Sequence, residues 1–290
     1  MKSKTIKAVL RKKFDEFLAS ITDEKVKSLV KRNSIITGGS IASMLMGEPV
    51  NDYDIYFTNK ETVLAVARYY INQFKKEYPG TRLEIVQKEG GRVTLRIKSK
   101  GVAADKDFKS EDDPNEPLPP DFNTDRPTDE SDKPKYRPVF ISANAITLSN
   151  KIQLILRFYG PADEIHANYD FAHCTCYWVS KDSDLVLPAI ALECLLTKEL
   201  RYLGSKYPLA SIIRSRKFLL RGFSINAGQY LKMCLQLNDL DLRDLDILED
   251  QLTGVDATYF MTLLEAIPED KKVDNTVDAA YLLTMIDRFF

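Results

Sequence analysis

Residues 35–57, reading IITGGSIASMLMGEPVNDYDIYF, set the tightest condition on how this 290-residue chain can fold. A short β-branched run, Ile35-Ile36-Thr37, stops at Gly38-Gly39-Ser40. An apolar segment, Ile41 to Met46, follows with helical character and is ended by Gly47 and Pro49. Asp52-Tyr53-Asp54 then leads into Ile55-Tyr56-Phe57. Carboxylates spaced i,i+2 on a strand share one face of a sheet, while Tyr53 and Ile55 turn the other way, into a core.

Two carboxylates held that close repel each other unless something positive lies between them, and the usual answer is a divalent cation, most often magnesium. The glycines let backbone approach a phosphate, and the first turn of the helix after them offers N–H groups to an anion. Ser40 at that point is expected to cap the helix and to donate to a phosphate oxygen. Acids that hold a metal, beside a cradle for phosphate, describe phosphoryl or nucleotidyl transfer. A D-x-D on a strand or a Gly-Gly before a helix is common by itself; the specificity lies in their order.

In that order the segment resembles the head domain of the polymerase-beta nucleotidyltransferase superfamily, in particular the branch with poly(A) polymerases and tRNA CCA-adding enzymes. Those proteins place Gly-Gly or Gly-Ser before a helix and two acids on the following strand. The resemblance implies an α+β fold, with a mixed-sheet head domain followed by a C-terminal helical domain. It also implies a nucleoside triphosphate substrate, ATP foremost, with its β- and γ-phosphates on Gly38, Gly39 and Ser40, and two magnesium ions on Asp52, Asp54 and a third carboxylate from a later strand of the same sheet. Asp170 is the choice for that third acid, being flanked on both sides by apolar residues, with Glu164 and Asp163 as substitutes. The segment around Asp170-Phe171 is similar to the Arg-x-Asp-Phe segment of CCA-adding enzymes, although the arginine expected just before it is absent.

Charge is nearly balanced, with 41 basic and 42 acidic residues, so a nucleic-acid partner would have to be met by a local patch. Four cysteines, Cys174, Cys176, Cys194 and Cys234, show no zinc-knuckle spacing and read as reduced thiols of a cytoplasmic protein. His173 alternates with Cys174 and Cys176 on the expected strand, which argues for buried side chains rather than a metal site. The basic N-terminus lacks the apolar stretch of a secretory signal, and no run reaches membrane-spanning length, so no membrane partner is expected.

The remaining pattern divides at about residue 180 into a head, 1–180, and a helical domain, 181–290. Apolar spacing predicts a helix within 5–31 and a second over Asp23–Val30 capped by Thr22, then a helix from Glu61 to Tyr78 capped by Asn59. Strands are expected at Arg82–Gln87 and Arg92–Lys98 about a Glu89-Gly90-Gly91 turn, and at Val139–Ile141, Ala145–Leu148 and Ile152–Phe158, with a helical turn over Pro161–His166. Asp170 should begin another strand, through Trp178. Between them, residues 105–137 are rich in Asp, Glu, Lys and Pro and too poor in apolar side chains to offset their own ordering, which predicts a mobile acidic insertion. Beyond Leu187 the period changes to that of helices, starting at Pro188 and Pro208 and covering Asn226–Leu237, Leu240–Leu252, Ala257–Leu264 and Val277–Phe290.

One of those helices, Leu209 to Arg221, concentrates Arg214, Arg216, Lys217 and Arg221 on an otherwise apolar element ending in Gly222-Phe223. Such a face could grip a triphosphate or a nucleic-acid backbone. It resembles the arginine-rich neck helix that follows the head in poly(A) and CCA-adding polymerases.

Three functions remain open at this point. The first is transfer of a nucleoside monophosphate to an RNA 3′ end, tRNA included. The second is the same chemistry on a protein or small-molecule acceptor, which the balanced charge fits at least as well. The third is a catalytically inactive nucleic-acid-binding or assembly protein.

Overall fold

The structure, a computed structural model, describes residues 1–79, 81–87, 93–97, 102–103, 135–251, 267, 272–273 and 276–289. The described residues form two compact units: the first takes the chain through residue 169 together with 173–197, and the second takes 170–172 and the chain from 198 onward.

The first unit is built on an eight-stranded sheet. Its strands are β1 (Ser34–Thr37), β2 (Tyr53–Phe57), β5 (Val102–Ala103), β6 (Pro138–Ile141), β7 (Ala145–Leu148), β8 (Ile152–Tyr159), β9 (Tyr177–Val179) and β10 (Asp184–Val186), while β3 (Leu83–Gln87) and β4 (Val93–Ile97) pair as a separate hairpin. The order across the sheet is β10-β9-β1-β2-β8-β7-β6-β5, with β2 and β8 parallel and the other neighbours antiparallel. This is a mixed sheet, as expected. In its register Thr37 lies opposite Asp54 and Ile35 opposite Tyr56, while Gln153 flanks Asp54 from the parallel side.

Helices α1 (Ser3–Ser20), α2 (Glu24–Asn33), α3 (Gly39–Met46), α4 (Lys60–Glu77), α5 (Ala162–His166) and α6 (Ala189–Thr197) complete this unit. Ile6, Leu10, Phe14 and Phe17 of α1 and Val63, Val66, Tyr70 and Phe74 of α4 recur at helical spacing. They bury against Ile36, Ile55, Leu154 and Trp178 of the strands. Each such side chain withdrawn from water contributes roughly 1.5–3 kcal/mol. Side chains alternate along β2, so Tyr56 belongs to a smaller cluster on the opposite face, with Ile35 and Ile165 and with Tyr169 and Tyr177 packed against them. Asp54 shares that second face.

Local chemistry sets the boundaries. Asn59 accepts from the Thr62 N–H and opens α4, and Gly47, at φ +76°, closes α3 in the left-handed conformation. At α2 the cap is Asp23 rather than Thr22: its carboxylate accepts from the N–H groups of Lys25 and Val26, so the helix starts one residue later and runs through Asn33.

The second unit contains α7 (Pro208–Leu220), α8 (Ala227–Leu237), α9 (Leu245–Gln251), a two-stranded hairpin of β11 (Lys272–Val273) with β12 (Thr276–Val277), and α10 (Ala279–Phe289). Pro208 occupies the first turn of α7, Gly222 follows its end at φ +81°, and Asn226 caps α8. Phe171, Tyr202, Phe218 and Phe223 form a chain of edge-to-face contacts at its core.

Three expectations are corrected. The stretch after Asp170 is not a strand: Phe171 bridges to Tyr202, Ala172–Cys174 make a 3-10 turn, and the strand begins only at Tyr177. The helix expected over Leu240–Leu252 starts at Leu245, because the Asp244 carboxylate accepts from the Asp246 and Ile247 N–H groups and caps it there. Tyr136, assigned by sequence to the polar insertion, is buried in the core of the first unit and donates to Glu16. Most of the expected insertion, the Glu89-Gly90-Gly91 turn and the helix Ala257–Leu264 lie outside the described residues.

Candidate active site

Strand β1 ends at Thr37, and the chain turns through Gly38 at φ +93°, ψ −149°, a conformation that L side chains rarely adopt. A Cβ on Gly38 would stand 3.1 Å from Asp54 Oδ2 and 3.6 Å from the Tyr169 hydroxyl. The glycine therefore lets the Asp54 carboxylate lie directly against the turn. Gly39 differs: a Cβ there would meet nothing within 4 Å, so its backbone faces open space.

Ser40 does not cap α3. The cap position is Gly38, without a side-chain hydrogen bond, and Ser40 lies inside the first turn. Its side chain is buried, and its Oγ has no hydrogen-bond partner among the described residues. A buried hydroxyl left so costs about 1–3 kcal/mol, which an incoming ligand oxygen would recover.

Asp54 is half-buried on the central strand, while Asp52 is exposed and lies one residue ahead of it. The turn before β8 fixes that approach, since the Tyr53 N–H donates to the Lys151 carbonyl at 2.8 Å.

Behind this turn is a polar network that the sequence did not reveal. The Thr37 hydroxyl donates to the Cys176 carbonyl at 3.0 Å, which leaves its oxygen to accept from His166 Nε2 at 2.8 Å. His166 is thereby the neutral Nε2–H tautomer. Burial pushes its pKa down to about 4, against a smaller opposing effect of Asp163. The His166 ring packs on Tyr169 and Tyr177 at 4.9 and 5.4 Å between centroids. Tyr169 is half-buried in this cluster, and desolvation, reinforced by Tyr56 and by the Asp54 charge, raises its pKa well above the ordinary value. A tyrosine immediately before Asp170 was the one visible signal, and nothing in its spacing distinguishes it from a core aromatic.

The other predicted residues belong to the second unit. Asp170 is buried and its carboxylate is engaged by Arg214 Nη1, while its carbonyl accepts from the Leu203 N–H. On α7, Arg214 is half-buried while Arg216 and Lys217 are exposed, so the four basic residues expected as one patch differ in environment.

Among the described residues no group of three or more His, Cys, Asp or Glu gathers to hold a metal ion. The Asp52–Asp54 pair still fits magnesium, a hard cation that is held by one or two carboxylates and takes its other oxygens from water and phosphate. The unpartnered Ser40 Oγ and the glycine turn against Asp54 supply the phosphate side of such a site. No helix among the described residues is long and apolar enough to cross a membrane.

The structure thus sets Gly-Gly-Ser ahead of a short helix and acids at the following strand on a mixed sheet, the order in which the sequence resembles nucleotidyltransferase heads. The model of the Gabija anti-defense 2 family matches residues 8–198, and the chain belongs to that family. It is 20% identical over 279 residues to Gabija anti-defense 2 of Bacillus phage SPbetaL7, a match covering 95% of this chain and 55% of that protein. The chain thus spans about half the length of the curated relative it matches. Similar solved structures include the Bacillus stearothermophilus CCA-adding enzyme in complex with CTP, 12% identical over 92% of this chain and 52% of that one with a TM-score of 0.43. Another is the Thermotoga maritima CCA-adding enzyme complexed with tRNA, 13% identical over 87% and 53% with a TM-score of 0.37.

Proposed function

We propose that the chain is a magnesium-dependent nucleotidyltransferase that acts on a protein or small-molecule acceptor, and that this activity serves the anti-defense role carried by its family's name. The observation that carries the chemistry is the Gly38 turn, with Asp54 against its backbone and the buried Ser40 hydroxyl without a partner. Backbone N–H groups at Gly39 and the Ser40 hydroxyl would bind the β- and γ-phosphates of a nucleoside triphosphate. Asp52 and Asp54 would hold magnesium, which when bound neutralises charge on the triphosphate. Thr37, His166 and Tyr169 keep the floor of the site dry and fixed, so that Asp54 stays in one position. An acceptor hydroxyl would attack the α-phosphorus in line with departing pyrophosphate.

The balanced charge of 41 basic against 42 acidic residues supports a protein or small-molecule acceptor over an RNA 3′ end, and so does a family named for countering a defence. Calorimetric titration with each nucleoside triphosphate, with and without magnesium, tests the reading: binding should require the metal and be lost in Asp52→Asn/Asp54→Asn.

A second reading, a binding protein without catalysis, draws on Asp170. The acid that the sequence assigned as third carboxylate is committed to Arg214. Metal-dependent binding of a triphosphate without turnover would favour it.

A further inference from the structure

Beside the Asp52 approach, on the face of the sheet that the helices cover, the first unit gathers three lysines around two tyrosine rings. Lys13 of α1 places its ammonium 5.4 Å from the ring centre of Tyr53 and 5.4 Å from that of Tyr136. It is half-buried, and its Nζ has no hydrogen-bond acceptor among the described residues. Burial lowers the Lys13 pKa; Glu16 opposes this, and the charges of Lys151 and Lys135 add to the lowering. Glu16, the nearby acid, already accepts from the Tyr136 hydroxyl at 3.1 Å.

Two of these residues are held in place by unusual backbone. Tyr136 and Lys151 both adopt φ +60°. Lys151 is also tied to the D-x-D approach from both ends, since its Nζ donates to the Val50 carbonyl at 3.0 Å and its own carbonyl accepts from Tyr53 N–H. A cleft of about 540 Å³, lined by Glu16, Ala19, Ser20, Lys135 and Tyr136, opens at the Tyr136 side of this group.

Lys13 lies within electrostatic range of both Lys135 and Lys151, with Glu16 the acid beside it among the described residues, and this excess of positive charge favours a multiply charged anion. A carboxylate carries too little charge for that. Lysine binds phosphate as a point charge, and the aromatic faces hold Lys13 without neutralising it. We propose that Lys13, Lys135 and Lys151, set around Tyr53 and Tyr136, form a polyphosphate-anion site distinct from the Gly38–Asp54 turn. It shares the 50–53 approach with that turn but lies on the other face of the sheet. The proposal does not depend on nucleotidyl transfer.

The test is binding of sodium tripolyphosphate by calorimetry, and of a fluorescein-labelled single-stranded oligonucleotide by anisotropy, both in EDTA so that metal-dependent binding at the carboxylates does not contribute. Lys13→Gln/Lys135→Gln/Lys151→Gln should weaken binding at least about 10-fold, while Asp52→Asn/Asp54→Asn, which removes negative charge near the site, does not weaken it. For the oligonucleotide, the triple variant should also flatten the salt dependence by about two units of log–log slope. Binding of tripolyphosphate alone identifies a free polyphosphate or nucleotide tail, and binding of the oligonucleotide identifies a nucleic-acid backbone; either supports the site. Should the triple variant not fold, Lys135→Gln/Lys151→Gln changes two exposed side chains and should still weaken binding several-fold. Equal affinity in the lysine variants, or no binding of either probe by the wild-type chain, overturns the proposal.

Discussion

The Asp54 carboxylate crowds the position at which a side chain on Gly38 would begin, its Oδ2 lying 3.1 Å from that missing Cβ, at a backbone position with φ +93°. Gly38→Ala therefore meets both a forbidden conformation and a displaced carboxylate. It should lower stability by about 1–3 kcal/mol in urea melts and remove triphosphate binding. Gly39→Ala, with nothing within 4 Å, should change stability by no more than about 0.5 kcal/mol yet still weaken binding, because the new methyl stands where phosphate would approach.

Ser40→Ala separates the two roles of its hydroxyl. Because the buried Oγ has no partner among the described residues, its removal should leave the melting temperature unchanged or raise it. Triphosphate affinity should fall about 5- to 10-fold, the loss of one hydrogen bond of about 1 kcal/mol or a little more. A marked loss of stability would show that the hydroxyl is needed for the fold.

His166 makes stability depend on pH in a defined window. Its pKa falls from 6.5 to about 4 on folding, so between those values the unfolded chain takes up a proton that the native state refuses. That contribution is complete above about pH 6.5 and is lost as pH falls toward 4. The slope from this one group is at most about 1.4 kcal/mol per pH unit, less to the extent that solvent screens it. His166→Gln should flatten the profile between pH 6.5 and 4, measured by denaturant melts at half-unit steps.

Much of the first unit was legible because its signals are local. Gly47 ends α3, Asn59 begins α4, and the apolar faces of α1 and α4 point into one core. The strand order and the Thr37–His166 contact were not, since they join residues 129 positions apart. Phe171 to Trp178 is rich in residues that favour strands, yet the bridge from Phe171 to Tyr202 fixes the local backbone through a tertiary contact. The D-x-D pair was read as a strand pair, whereas β2 starts between them and leaves Asp52 exposed. Ser40 was expected to cap because serine favours that position, but Gly38 had already taken it.

The Asp170–Arg214 pair should be asymmetric under mutation. Arg214→Met leaves a buried carboxylate without its partner and should cost about 2–4 kcal/mol, less than a fully buried pair because the Arg214 side chain is 31% exposed. Asp170→Asn should cost less, because Arg214 can still reach water. A double-mutant cycle by thermal melting measures the coupling directly.

Nucleotidyl transfer through Asp52 and Asp54 is tested by incubating the purified chain with magnesium, each α-labelled nucleoside triphosphate and an extract of bacterial cells. The products are then digested separately with ribonuclease and with protease. Transfer to a protein or small-molecule acceptor gives label that requires magnesium, survives ribonuclease, and disappears in Asp52→Ala/Asp54→Ala. Label that ribonuclease removes would contradict the acceptor assignment, and label unaffected by the double substitution, or none with any triphosphate, would contradict the chemistry itself.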